Sequence, residues 1–145
     1  MIDALNIIEN NKITIDDIVY NINEPTWAQC EYLLKLLAET NEVPDGATEQ
    51  EKNIQFLTLL FKRGLTFQTL AILLIPDGVT MKEHIEFLNN PEAVNARIET
   101  MQYNLTPNQV IVVLKRFFDF GAIIVMHQAL LLSLNLLTPS VATRP

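Results

Sequence analysis

Cysteine, glycine and histidine are scarce in this chain of 145 residues, which has one cysteine, four glycines and two histidines. A single cysteine, Cys30, excludes an internal disulfide and a multi-cysteine metal site. The glycines form no phosphate-binding loop, since GxGxxG and GK[ST] are both missing, and GxSxG is missing too. His84 and His127 do not complete a ligand pattern such as HExxH. We therefore expect no catalytic residues, no metal and no cofactor, and a protein that is not an enzyme.

Basic residues are also few, and the formal net charge is −7. A negative field of this size repels phosphate backbones, so we expect no nucleic-acid partner. The charge is uneven: residues 1–60 carry eleven acidic and three basic side chains, whereas residues 61–145 carry six and seven. The acidic N-terminal half is expected to keep the protein soluble or to dock on a basic partner.

The N-terminus lacks the basic start and apolar stretch of a signal peptide. Together with the single cysteine, this favours the cytoplasm, or a particle assembled there, as the location. Hydrophobic residues make up 49% of the chain, and the mean hydropathy is +0.19. These values are high for a water-soluble domain, so either the core is large or a partner covers part of the apolar surface.

Three capping boxes mark helix starts. Threonine is followed three residues later by Glu or Gln at Thr48–Glu51, Thr80–Glu83 and Thr106–Gln109, each before an apolar-rich run. The sequence thus predicts an all-α fold, a compact bundle of about eight short to medium helices in a single domain over residues 1–145. A short internal similarity between residues 44–51 and 76–83 is interpreted as repeated turn and cap chemistry, with a duplicated helical hairpin as the alternative.

Helical periodicity predicts which side chains face the core. Trp27, Cys30 and Leu33 form the stripe of a helix led by Pro25. The next helix begins after Thr48 and runs through Phe61, and Gly64 is expected to end it in a left-handed conformation. The inward residues of this helix are predicted to be Ile54, Leu57, Leu60 and Phe61. The inward residues of the helix after Thr106 are predicted to be Val110, Val113, Leu114, Phe117 and Phe118.

Residues 13–22 can be interpreted in two ways. The β-branched residues favour a strand, but Ile15, Ile18, Val19 and Ile22 fall at helical spacing after a possible cap at Thr14. The apolar alternation of a strand slips at Asp16-Asp17, which suit the first turn of a helix. We predict a helix here, with a strand as the alternative.

The C-terminal half carries the predicted contact residues. Phe117, Phe118 and Phe120 are too close in sequence for all three rings to face one core, so at least one is expected to contact a neighbouring helix or a partner. Met126 and His127, in an apolar helix expected over residues 122–137, complete the predicted partner-binding set.

The same region allows a membrane interpretation. No charged residue other than Arg144 follows Asp119, and the uncharged stretch from Phe120 to Thr143 could span a bilayer. His127, Gln128, Ser133 and Asn135 lie within that stretch, and each polar group costs free energy in hydrocarbon. A buried bundle helix or an interface helix is therefore favoured over an anchor.

Two resemblances bear on function. Residues 34–39 loosely resemble the BH3 pattern of apoptosis regulators. The next motif of that family would place Asn-Trp-Gly-Arg where this chain has Thr66-Phe67-Gln68-Thr69. In general style, the small, acidic chain of capped helices resembles phage assembly proteins, which implies a viral or phage structural or assembly role. Neither resemblance assigns a family.

The sequence leads to two hypotheses of function. The first is a non-enzymatic protein-interaction or assembly subunit, present as an oligomer or within a larger complex. The alternative is a membrane-anchored helical regulator that binds a partner helix in an apolar groove.

Overall fold

The computed structural model describes residues 11–38 and 48–122. In this part the chain is mostly helical and has a small three-stranded sheet. The elements in chain order are β1 (Lys12–Ile15), β2 (Ile18–Asn21), α1 (Trp27–Ala38), α2 (Glu49–Lys62), α3 (Thr66–Leu73), β3 (Ile75–Pro76), α4 (Met81–Leu88), α5 (Pro91–Asn104) and α6 (Pro107–Asp119). The all-α prediction therefore holds only in its coarser form, as a mostly helical fold.

The predicted helix over residues 13–22 is wrong, because β1 and β2 form an antiparallel hairpin in which Ile15 faces Ile18. Its two-residue loop is Asp16-Asp17, and both residues have positive φ angles, 50° and 66°. Such angles at both positions belong to the tight hairpin turn whose twist matches the strands. The slip in apolar alternation was thus the turn itself. Ile13 and Ile15 point into the core, and Thr14 is exposed.

The third strand joins the hairpin from far along the chain. Tyr20 pairs with Pro76 and Asn21 pairs with Ile75. Pro76 lies at the sheet edge, where its missing N–H costs no ladder hydrogen bond. The following Gly78 has φ of 82° and turns the chain toward α4.

The helix starts follow the predicted caps. Complete capping boxes form at Thr80 and Thr106, and the Thr48 hydroxyl accepts the Glu51 N–H at 3.1 Å. Gly64 has φ of 68° just after α2, as predicted. A further box was missed: Thr26 caps α1, and its backbone N–H donates to Gln29 Oε1 at 2.9 Å.

Helix α3 lies at the centre of the molecule and packs against α1, α2 and α5. Its residues from Thr69 to Leu73 are buried, in agreement with the absence of charged residues from Thr66 to Ile75. Helix α6 packs against α2, and its five predicted inward residues are all buried.

Several predictions fall outside the described residues. Asp3 as a cap before Leu5, Ile7 and Ile8 predicts a short N-terminal helix, and Val43–Gly46 predicts a break in the chain. Both lie outside the described residues, as do the apolar helix over 122–137 beyond its first residue and the possible anchor beyond residue 122. None of the helices formed by residues 11–38 and 48–122 is long and apolar enough to cross a bilayer.

Candidate functional site

The predicted partner-binding residues divide into three groups. Phe117 and Phe118 are fully buried in the core of this chain. Phe120 is half-buried, and its ring centroid lies 6.5 Å from that of Phe117. Met126 and His127 lie outside the described residues. Two of the three rings therefore face the chain's own core and Phe120 is the one left partly accessible, while partner binding by the set stays a prediction.

Trp27 differs from its predicted core position, because 69% of its surface is exposed. It is the first residue of α1. A side chain in the first turn of a helix leans back beyond the N-terminus, so helical spacing alone did not place it in the core. Cys30 on the same helix is buried as predicted, and this burial raises the pKa of its thiol.

Buried polar groups meet at the C-terminal end of α3, in what we call the polar cluster: Gln29, the carbonyls of Ile72 and Leu73, and His84. The Gln29 amide nitrogen donates to the Ile72 oxygen at 3.0 Å and to the Leu73 oxygen at 3.1 Å. These carbonyls belong to the last turn of the helix, where intrahelical donors run out. The polar cluster therefore supplies donors to the end of α3 and joins it to α1 and α4.

His84 contributes the second donor. Its Nε2 lies 2.8 Å from the Ile72 oxygen, and its side chain is fully buried. Since a carbonyl oxygen only accepts, the hydrogen must be on Nε2. The Nδ1 atom is then a bare acceptor, and it has no hydrogen-bond partner among the described residues. No sequence pattern around His84 predicts this buried role.

Burial lowers the pKa of His84, and the nearby positive charge of Arg97 lowers it further, whereas the bond to Ile72 opposes both effects. The unfolded chain therefore takes up this proton near pH 6.5, and the folded chain takes it up only at a lower pH. Stability from this group is complete above pH 6.5 and is lost as the pH falls below it.

We expect the free energy of unfolding to fall by at most about 1.4 kcal/mol per pH unit below pH 6.5 on account of His84. Urea titrations between pH 7.5 and pH 5 measure this slope. The variant His84→Gln keeps a donor near the Nε2 position but does not titrate, so it should show a shallower slope. Equal slopes in the two proteins would contradict the prediction.

Arg97 on α5 connects the sheet to α4. Its guanidinium carbon lies 3.6 Å from the centre of the Phe87 ring and 5.6 Å from that of Tyr20. A guanidinium over an aromatic face is held by the ring quadrupole. Phe87 in turn stacks on His84, with centroids 5.8 Å apart. The stack fixes α4 and α5 against the hairpin, which is a structural role.

A shallow cavity of about 110 Å³ opens beside the start of α1. This volume is well below the roughly 300–1,000 Å³ of typical small-molecule pockets. Its lining residues are Asn21, Asn23, Glu24, Thr26, Gln29, Leu73, Ile75 and Met81. The polar atoms of Gln29 at its base already bond to Thr26 and to α3, so the cavity offers little to a ligand.

The exposed side of α2 is the strongest candidate for contact with a protein. Ile54 and Phe61 were predicted to face the core, but 56% and 50% of their surfaces are exposed. Glu51, Thr58 and Lys62 are exposed on the same side. Each of these five residues lies three or four positions from another of them, so they share one side of the helix. We call them the α2 face.

The opposite side of α2 is buried through Leu59 and Leu60. The helix therefore has apolar residues on two sides, and only one side can pack against α3 and α6. The sequence carried a signal for this in the six apolar residues from Ile54 to Phe61, more than one helix face accommodates. That signal does not say which side faces inward.

Within residues 11–38 and 48–122, no three His, Cys, Asp or Glu side chains are grouped so that they could hold a metal ion. Comparison of the chain with protein-family models, with curated proteins and with solved structures gave no match.

Proposed function

We propose that this protein is a non-enzymatic subunit of a protein assembly and that the α2 face is where it contacts another protein. The observation that supports this is the pair of large apolar side chains, Ile54 and Phe61, exposed two turns apart on one helix face. Burying an apolar side chain contributes roughly 1.5–3 kcal/mol relative to leaving it in water. A partner on this face would recover part of that free energy at both positions.

The charge distribution agrees with such a role. The α2 face has an acidic residue at its start and a basic residue at its end, a polar border of the kind that surrounds the apolar centre of protein interfaces.

Other exposed aromatic residues, such as Trp27 and Tyr103, stand alone, and isolated exposed aromatics are common on protein surfaces. A cytoplasmic location and a viral or phage assembly role remain parts of this proposal that rest on the sequence alone.

The test is the size of the complex that a tagged chain forms in extracts of the source cells, with the tagged chain present at about 100 μM so that a weak contact is also populated. We expect the wild-type chain to elute in a complex of defined stoichiometry, and the Ile54→Glu/Phe61→Glu variant to elute free, because two charges would be buried in the contact. The matched control Lys82→Gln/Gln102→Glu makes the same change of net charge at two exposed positions on α4 and α5 and should behave as wild type. A wild-type chain that elutes free, or a complex that the α2 variant retains, would overturn the proposal.

A further inference from the structure

We infer that the partner on the α2 face is a second copy of this chain, with the two α2 helices antiparallel about a two-fold axis near Thr58. This inference rests on the proposed function, because it names the occupant of the same face.

The order of residues along the α2 face is self-complementary. It runs from acidic Glu51 through apolar Ile54, Thr58 and apolar Phe61 to basic Lys62. When a second helix runs in the opposite direction with each Ile54 opposite a Phe61, the two-fold axis passes beside Thr58. Each Glu51 then lies within about 3 Å, along the helix axis, of the level of a Lys62, an offset that two long side chains can bridge. A parallel copy would bring like charges together at both ends. An isologous dimer, in which the same patch serves both subunits, requires this kind of match.

Thr58 suits the centre of such a contact. Its hydroxyl already donates to the Ile54 carbonyl of its own helix at 2.9 Å. Burial of Thr58 between two helices therefore strands no donor, and an unpaired buried donor is what makes polar groups costly in interfaces. Threonine is also small enough for the two helix axes to approach within about 8–10 Å, the usual distance of packed helices.

The helix dipoles add to the match, since antiparallel helices place the positive end of one beside the negative end of the other. The size of the contact sets its strength. A helix of 14 residues is about 21 Å long, and one such pair is a small interface that belongs to the weak or transient class. We therefore expect dissociation of the dimer in the micromolar range or above.

The experiment is sedimentation of the purified full chain from about 5 to 500 μM, a range that spans weak association. The variants Glu51→Lys and Lys62→Glu each place like charges opposite one another at both ends of the paired helices. Each should dimerise at least about fivefold more weakly than wild type. An equimolar mixture of the two should regain the wild-type dimer, because a lysine of one variant then faces a glutamate of the other at both ends.

Both positions are exposed, and thermal unfolding by circular dichroism checks that each variant folds. A second measurement uses Thr58→Cys, which should form an interchain disulfide on oxidation because the two copies of residue 58 meet at the axis. Lys82→Cys on α4 serves as its exposed control, and native Cys30 is buried.

Different results separate the failure of this inference from the failure of the proposed function. Any of three results would overturn antiparallel self-pairing. The wild-type chain could be monomeric over the whole concentration range, the two charge variants could dimerise as strongly as wild type, or their equimolar mixture could fail to form the dimer. The proposed function is instead contradicted by the extract experiment, if the wild-type chain elutes free or the α2 variant keeps its complex. A complex with another protein, lost in the Ile54→Glu/Phe61→Glu variant, would keep that function while replacing the second copy as occupant.

Discussion

Replacing Phe117 with alanine should lower the free energy of unfolding by about 3–5 kcal/mol, the range found for large aromatic-to-alanine changes in well-packed cores. The reason is that Phe117 is 0% exposed and is among the largest fully buried side chains of the described residues. Truncation removes its transfer free energy and leaves a cavity that the surrounding helices fill only in part. Urea denaturation at neutral pH measures the loss as a lower midpoint with an unchanged slope.

The control is Ile111→Ala on the same helix, where the side chain is 39% exposed. The free energy of unfolding should fall clearly less in this variant, because the side chain of Ile111 buries less apolar surface on folding and its removal leaves no closed cavity. The two variants also separate the two roles predicted for the aromatic residues, burial in the core and contact with a partner. A Phe117→Ala protein as stable as wild type, but altered in association, would mean that the ring serves a partner and not the core.

Gln29→Met should lower the free energy of unfolding by about 2–4 kcal/mol, since each buried hydrogen-bonding group left unpaired costs roughly 1–3 kcal/mol. Methionine matches the length of glutamine, so the change in volume is small. It removes the two donors to the Ile72 and Leu73 carbonyls and the acceptor of the Thr26 N–H. His84 still reaches the Ile72 oxygen, which keeps the loss below the sum of three bonds. Urea denaturation measures it.

Gln102→Met, the same change at an exposed position on α5, should stay within about 0.5 kcal/mol of wild type. A second variant, Gln29→Glu, keeps the acceptor for Thr26 but brings a carboxylate oxygen to the two carbonyls. It should be at least as harmful as methionine. If both Gln29 variants unfold at the wild-type midpoint, the polar cluster does not stabilise the join between α1 and α3.

The helix starts were predictable because their chemistry is local. A threonine hydroxyl and a Glu or Gln three residues later satisfy backbone groups within the same turn, so the boxes at Thr80 and Thr106 needed no knowledge of the fold. The hairpin was missed for the opposite reason. Isoleucine and valine repeats at residues 13–22 fit either period, and two aspartates with positive φ are less typical of the tight turn than Asn-Gly.

The candidate site was harder to predict than the fold. The orientation of α2 depends on which of its two apolar sides fits against α3 and α6, and that is a property of the neighbours. Phe117 and Phe118 show the same dependence, since adjacent aromatic rings suggested an outward contact until the surrounding helices were found to cover both. The burial of His84 could not be predicted, because its hydrogen-bond partner is a backbone carbonyl, and no pattern of side chains in the sequence indicates such a partner.

The amino-acid order by itself determined where helices begin and end, since capping residues and glycines act within a few positions of one another. It also determined the net negative charge and the apolar stripe of α6. The tertiary structure decided the pairing of β1 and β2 with β3, the inward side of α2 and the burial of Gln29 and His84. These depend on groups distant in sequence, whose packing and hydrogen bonds outweigh local preferences of a few tenths of a kcal/mol to about 1 kcal/mol per residue.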